Sequence, residues 1–163
     1  MAALPTPHLL LSPPQPSDEA LFVQLYTDAA VMRHIGPPLA PEQAAAAFAR
    51  ASVLSGQWPF RYRLWTVTHA QEGALGVAAL SGDADGAEIG VMLLPHAQGR
   101  GHAVECIQRL VLHAFEELGL PRVFTRHADA HTRALGLMRK LGFAPVPPTG
   151  SGEPACRWER KRP

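Results

Sequence analysis

The stretch Pro95-His96-Ala97-Gln98-Gly99-Arg100-Gly101-His102-Ala103 decides the reading of this chain, because of what stands on either side of it. Residues 87–94, just before it, read as a strand ending in Leu93-Leu94. After it, Ala103, Val104, Ile107, Leu110, Val111, Ala114, Phe115 and Leu118 recur at a three–four spacing. That is the pattern of a long amphipathic helix, which Gly119 and Pro121 end. The first amides of a helix have no partner inside it, and the aligned peptide dipoles put partial positive charge there. Glycines in front of such a helix let the backbone approach an anion closely, so the loop suits a phosphate or pyrophosphate. Arg100 stands where it can add a charged contact from the rim.

Two familiar phosphate loops do not match. A Walker-type loop requires Gly-Lys-Ser/Thr, which is missing. A dinucleotide fingerprint fails more narrowly, since Gly99-Arg100-Gly101-His102-Ala103-Val104 carries valine where a third small residue is wanted. The strands ahead of the loop also form a meander, whereas a dinucleotide fold opens with its loop.

Outward from the loop, the chain reads as a mixed order of strands and helices. Residues 8–12 are a first strand. Ser17 or Asp18 caps a helix carrying Phe22, Leu25, Ala29 and Met32, which stops at Gly36-Pro37-Pro38. Pro41 opens a second helix running to about Leu54. Residues 63–69, 74–80 and 87–94 are strands joined by turns at Gln71-Glu72-Gly73 and at residues 82–86. Beyond the long helix come a strand at Arg122–Arg126, a helix at 132–141 closed by Gly142, and two final strands at 143–146 and 155–160. An antiparallel meander feeding a strand–helix–strand unit is a mixed α/β (α+β) sheet.

At 163 residues the chain is expected to be one domain, 1–163. Its 15 basic and 14 acidic residues nearly cancel, which implies neither nucleic-acid nor membrane binding. Hydrophobic residues make up 47%, too many for a disordered chain, yet no apolar run approaches the ~20 residues of a membrane span. Two cysteines make no disulfide framework, so a cytoplasmic location is expected.

Gln98-x-x-Gly101-x-Ala103, following Leu93-Leu94-Pro95, resembles the pyrophosphate-binding motif of the GNAT superfamily, the acetyl-CoA-dependent N-acetyltransferases. Glu88-Ile89-Gly90, Pro95, Gly99-Arg100-Gly101-His102-Ala103 and Glu105 are similar to the branch that acetylates ribosomal-protein N-termini. So are Leu9-Leu10-Leu11, Asp18 and Met32-Arg33-His34-Ile35-Gly36 near the start, and Lys140-Leu141-Gly142-Phe143 near the end. The resemblance covers almost the whole chain.

The resemblance implies a mostly antiparallel twisted sheet, splayed at the fourth and fifth strands and flanked by about four helices. In it, a bulge splays strand 87–94 from its parallel neighbour Arg122–Arg126. The pantetheine arm of acetyl-CoA, the cosubstrate, lies in the gap against backbone near Leu93 and Leu94. Its phosphates meet Gln98, Gly99, Arg100, Gly101, His102 and Ala103. An exposed amide in the gap polarises the thioester carbonyl, and the acetyl group passes directly to an amine within a ternary complex.

Only a neutral amine attacks. A lysine with a pKa of about 10.4 is neutral in fewer than about one molecule in a thousand at pH 7, an N-terminal amine at about 7.7–8 in roughly a tenth. Glu88 is the candidate base, acting through water, against the plainer reading of a strand carboxylate in an ion pair. The family's leaving-group acid is harder to place, because Met138 stands where many members have tyrosine, Ala134 where the ribosomal branch often has serine, and His131 where it has asparagine. His131 is a candidate donor to the departing thiolate or a plain cofactor contact.

Other residues are weighed against packing. His127-x-Asp129-x-His131 alternates like a ligand set but has no evident fourth member, and no metal is expected. Cys106 sits mid-helix like a small buried hydrophobe. Trp58, Phe60, Tyr62 and Trp65 either line an acceptor pocket or pack under a loop, and His34 either shapes that pocket or caps a helix end.

The expected function is N-acetyl transfer to a peptide N-terminus or a small-molecule amine. The rivals are an acyl-CoA-binding regulatory domain with little or no turnover and a dinucleotide-binding protein. A homodimer is left open.

Overall fold

The computed structural model describes residues 1–57, 59–126, 132–147 (132–134 as backbone) and 157–163. Alternation along the strands builds one sheet with a different core on each face. The strands are β1 (Leu4–Pro5), β2 (Leu9–Ser12), β3 (Tyr62–His69), β4 (Gly73–Asp83), β5 (Gly86–Leu93), β6 (Arg122–Arg126), β7 (Ala144–Val146) and β8 (Arg157–Lys161). Their order is β1-β2-β3-β4-β5-β6-β8-β7. Every neighbouring pair is antiparallel except β5 and β6. Both outer strands are short and each carries a proline, Pro5 and Pro145.

Trp65 and Val67 point to one face, where they meet α4 (His102–Leu112) and α5 (Thr132–Lys140) through Cys106, Ile107, Leu110 and Met138. Leu64 points to the other face. There α1 (Glu19–Thr27), α2 (Ala29–Met32) and α3 (Pro41–Ser55) contribute Phe22, Leu25, Met32, Phe48 and Ala51. This second core reaches Met92 and Leu94 at β5 and takes no residue from β6, β7 or β8. The helices therefore cover only half of that face among the described residues. Glu105, in the first turn of α4, accepts hydrogen bonds from the Thr6 hydroxyl and from the amides of His8 (2.8 Å) and Leu9 (3.2 Å). It staples the β1–β2 hairpin to the start of α4.

Four details depart from expectation. The first helix breaks in two at Asp28, whose side chain accepts from the Ala30 and Val31 amides at 2.7 and 3.2 Å and so starts α2 afresh. Five α-helices result among the described residues. Leu4–Pro5 adds a strand, with Leu4 fully buried. α4 ends in a π turn, His113–Glu117, in which the Leu118 amide donates to the His113 carbonyl. The sheet's register shift lies between β3 and β4 at Val67/Thr68, leaving Leu75 as the extra residue, while the β4–β5 ladder runs without a shift. No bulge in that ladder drives the splay.

Candidate active site

β5 and β6 pair only at Ala87↔Val123 and Glu88↔Phe124, and then diverge. The divergence opens a fork between the rest of β5 and the end of β6, pointing toward the glycine loop. The Leu94 amide donates to the Leu75 carbonyl at 2.8 Å, so Leu94 turns its backbone to β4. Hydrogen bonding alternates along an antiparallel ladder, so Leu93, Val91 and Ile89 turn theirs into the fork. Of the two leucines expected to present backbone there, Leu93 does so. The Leu94 amide is already engaged and its side chain lies in the second core. The Gln98 side-chain amide donates to the Leu93 carbonyl at 2.9 Å, tying the loop to the strand.

Gly99 and Gly101 take φ values of 75° and 89°, the left-handed region that favours glycine. An added Cβ at either would meet nothing within 4 Å, so the loop backbone stands clear in front of α4. The first amide to donate at the start of α4 is that of Glu105, to the Gly101 carbonyl at 3.2 Å. The amides ahead of it have no partner inside the helix, an end that suits an anion. His102 is buried, its Nδ1 3.2 Å from the Ala97 carbonyl, and its ring lies against that of His69. Arg100 is ion-paired with Glu72 from the β3–β4 turn, a partner that stands far away in sequence. The Arg100 hydrogen bond and charge, helped by His69 and His102, hold the Glu72 carboxyl below the usual glutamate value. This geometry fits a pyrophosphate at Gly99–Ala103 and a thioester arm along Leu93.

Glu88 stands at the apex of the fork. It belongs to a row crossing the sheet on the half-open face: Tyr62, Ser81, Glu88, Phe124, Glu159, Ala144. Arg126 donates to Glu88 Oε2 at 2.8 Å. Burial pushes the Glu88 carboxyl above the usual glutamate value, against the pull of Arg126 and Arg157. Two residues along β5, an added Cβ at Gly90 would meet nothing within 4 Å, so there is open space beside Glu88 on its own face.

The family model described as an acetyltransferase (GNAT) domain matches residues 8–144. The chain belongs to the GNAT acetyltransferase family. Solved GNAT structures superpose on nearly all of it. An acetyltransferase from Agrobacterium tumefaciens matches at a TM-score of 0.85 and 18% identity, over 99% of this chain and 95% of the other. RimL, a ribosomal L7/L12 alpha-N-protein acetyltransferase in complex with coenzyme A, matches at 0.83 and 16%, over 98% of each chain. Spermidine N-acetyltransferase from Vibrio cholerae, in complex with CoA and spermine, matches at 0.79 and 18%, over 94% and 95%. At such identities these likenesses establish the GNAT fold. Comparison with curated protein sequences returned no significant match.

Within this GNAT domain the remaining candidates divide as follows. His127, Asp129 and His131 lie outside the described residues, as does Trp58. Met138 is 1% exposed and its thioether carries no proton to give. Cys106 is fully buried, and burial pushes its thiol up to about 12, which makes it an inert core residue. Phe60 and Trp65 join one core and Tyr62 packs against the other, so the aromatic residues do not line one pocket. His34 is exposed in the turn after α2. Asp83 accepts from the Asp85 amide at 2.9 Å, as a turn residue does. Sequence reasoning passed over Arg126 and Glu72, and weighed Tyr62 only as one of an aromatic group. Burial holds the Tyr62 phenol well above its ordinary value.

Proposed function

We propose that the chain transfers an acetyl group from acetyl-CoA to a primary amine, first of all the N-terminal amine of a peptide, by direct attack in a ternary complex. The observation that carries this reading is Glu88 at the apex of the β5–β6 fork, its carboxyl raised above the ordinary value and open space beside it. The Gly99–Ala103 backbone receives the pyrophosphate of the cosubstrate. The Leu93 amide, turned into the fork, donates to the charge developing on the thioester oxygen. Glu88 takes the amine's proton through water as the C–N bond forms. The C–S bond breaks to release a thiolate with a pKa of about 8.5, which water protonates. This route asks nothing of Met138.

Glu88→Gln is expected to lower kcat by about a hundredfold, the usual scale of a lost general base, with acetyl-CoA affinity unchanged. Besides the inflection of the amine itself, the kcat profile should carry an acid inflection above pH 4.5, the ordinary glutamate value, which the variant lacks. Thiol release against pH, with calorimetry for binding, measures both. An unchanged kcat removes Glu88 from the chemistry.

The buried Met138 supports a second reading, an acyl-CoA-binding regulatory domain with little turnover. It predicts tight acetyl-CoA binding and no thiol release with any amine.

A further inference from the structure

The strand registers place four cations around Phe124 on the part of the sheet that, among the described residues, the helices leave open. Arg126 pairs with Arg157 across the β6–β8 ladder on one side of the row through Glu88, and Arg122 pairs with Lys161 on the other. The Arg157 guanidinium stands 4.1 Å from the centre of the Phe124 ring and that of Arg126 stands 5.1 Å away. Like charges directly opposite each other in a ladder are destabilising unless something compensates them. The compensation here is incomplete. Glu88 is held by Arg126, while Glu159 is shared between Arg122 at 3.2 Å and Arg157 at 3.4 Å. Two carboxylates thus face four cations, on a chain whose formal net charge is only +1. The Arg157 Nε is buried with no hydrogen-bond partner among the described residues.

The shape of the patch says more. Arg126 and Arg122 are four residues apart on β6, about 13 Å at strand rise. Across the strands the row continues from Glu88 over Phe124 and Glu159. It reaches a groove of about 320 Å³ whose lining includes Ala144, Val146 and Lys161. A single small amino acid would cover only one end of such a surface. An extended chain with its terminal amine at Glu88 would cross Phe124 between the two cation pairs.

Resting on the acetyl-transfer reading, we infer that the acceptor is a peptide whose N-terminal amine is followed within a few residues by acidic side chains, and that Arg157 and Lys161 select it. A polyamine would bring further positive charge onto four cations and is disfavoured by the same field.

The test uses three probe peptides with the same N-terminal serine, followed by aspartate and glutamate, by glycine and glutamine, or by lysines, together with spermine. Thiol release gives kcat/KM for each, and calorimetry on the CoA-loaded protein gives binding. The acidic peptide is expected to exceed the neutral one by about tenfold, through KM, with the lysine peptide and spermine below both. Raised ionic strength should erode the order. The double variant R157E/K161E should invert it. If that variant does not fold, Arg157→Gln should still narrow the preference several-fold. Turnover with no acidic preference, or with spermine preferred, overturns this inference and leaves acetyl transfer standing. Charge-dependent binding of the acidic peptide without turnover upholds the selection by Arg157 and Lys161 and overturns the peptide's role as acceptor, together with acetyl transfer. Neither binding nor preference overturns it.

Discussion

At the residue scale, the site is governed by pairs that distance in sequence conceals. Glu88 and Arg126 are 38 positions apart, and Arg100 and Glu72 are 28 apart. Alternation along residues 87–94 shows that Glu88 and Gly90 share a face. That Arg122–Arg126 lies beside them is what the family resemblance implied, but the register that sets Glu88 opposite Phe124 and within reach of Arg126 is carried by the structure alone. The Glu72 contact has a consequence for the proposed cofactor site, because it places a carboxylate beside the glycine loop and occupies the Arg100 guanidinium there. Glu72→Gln is therefore expected to tighten CoA binding about fivefold at low salt, less at high salt. Calorimetry at two ionic strengths checks this, and weakened binding would mean that Glu72 instead holds Arg100 in its productive pose. The glycine loop, by contrast, was legible from composition and position, since a left-handed backbone ahead of a helix leaves few choices besides glycine.

At the element scale, the β4–β5 pair sets the geometry of the fork. Gly76 lies so close to β5 that an added Cβ would come within 2.1 Å of the Met92 carbonyl oxygen. Backbone of a central strand cannot give way, so Gly76→Ala should cost about 2–4 kcal/mol in urea unfolding and press β5 toward β6, narrowing the fork. A loss below about 0.5 kcal/mol would show that the strands separate easily. The strands, the long helix and their order were readable because each obeys its own period. Asp28 was harder, since the apolar spacing of Phe22, Leu25, Ala29 and Met32 runs straight through it. The break comes from a side chain that competes for the amides of Ala30 and Val31. Leu4–Pro5 was hidden by its proline, which looks like a loop residue until the strand is seen to sit at an edge.

At the scale of the molecule, one staple joins the sheet's outer hairpin to α4, the helix behind the glycine loop. Burial alone would raise the Glu105 carboxyl, but the hydrogen bonds from Thr6 and His8 prevail and hold it below its ordinary 4.5. A depressed folded value means that the unfolded chain binds the proton first. Its stabilisation is thus present at neutral pH and lost as pH falls below 4.5 through the folded value. Glu105→Ala should lower stability by about 1–2 kcal/mol at pH 7, with the difference closing in that acid window. Urea titrations across the window measure it, and a pH-independent difference would assign the effect to packing instead.

The two prolines at the rims of the sheet reach beyond folding. A strand without its amide hydrogen, two or three residues long, offers an incoming backbone almost nothing to continue. Recruitment of another copy by ladder extension is thereby closed at β1 and at β7, and any association must be made by side chains on the faces. The double variant Pro5→Thr, Pro145→Thr is expected to form thioflavin-binding fibres sooner than the parent chain on prolonged incubation, and equal lag times would show that the prolines do not guard the rims. In that sense the rims govern shelf life, a property on which the chemistry proposed at Glu88 has no bearing.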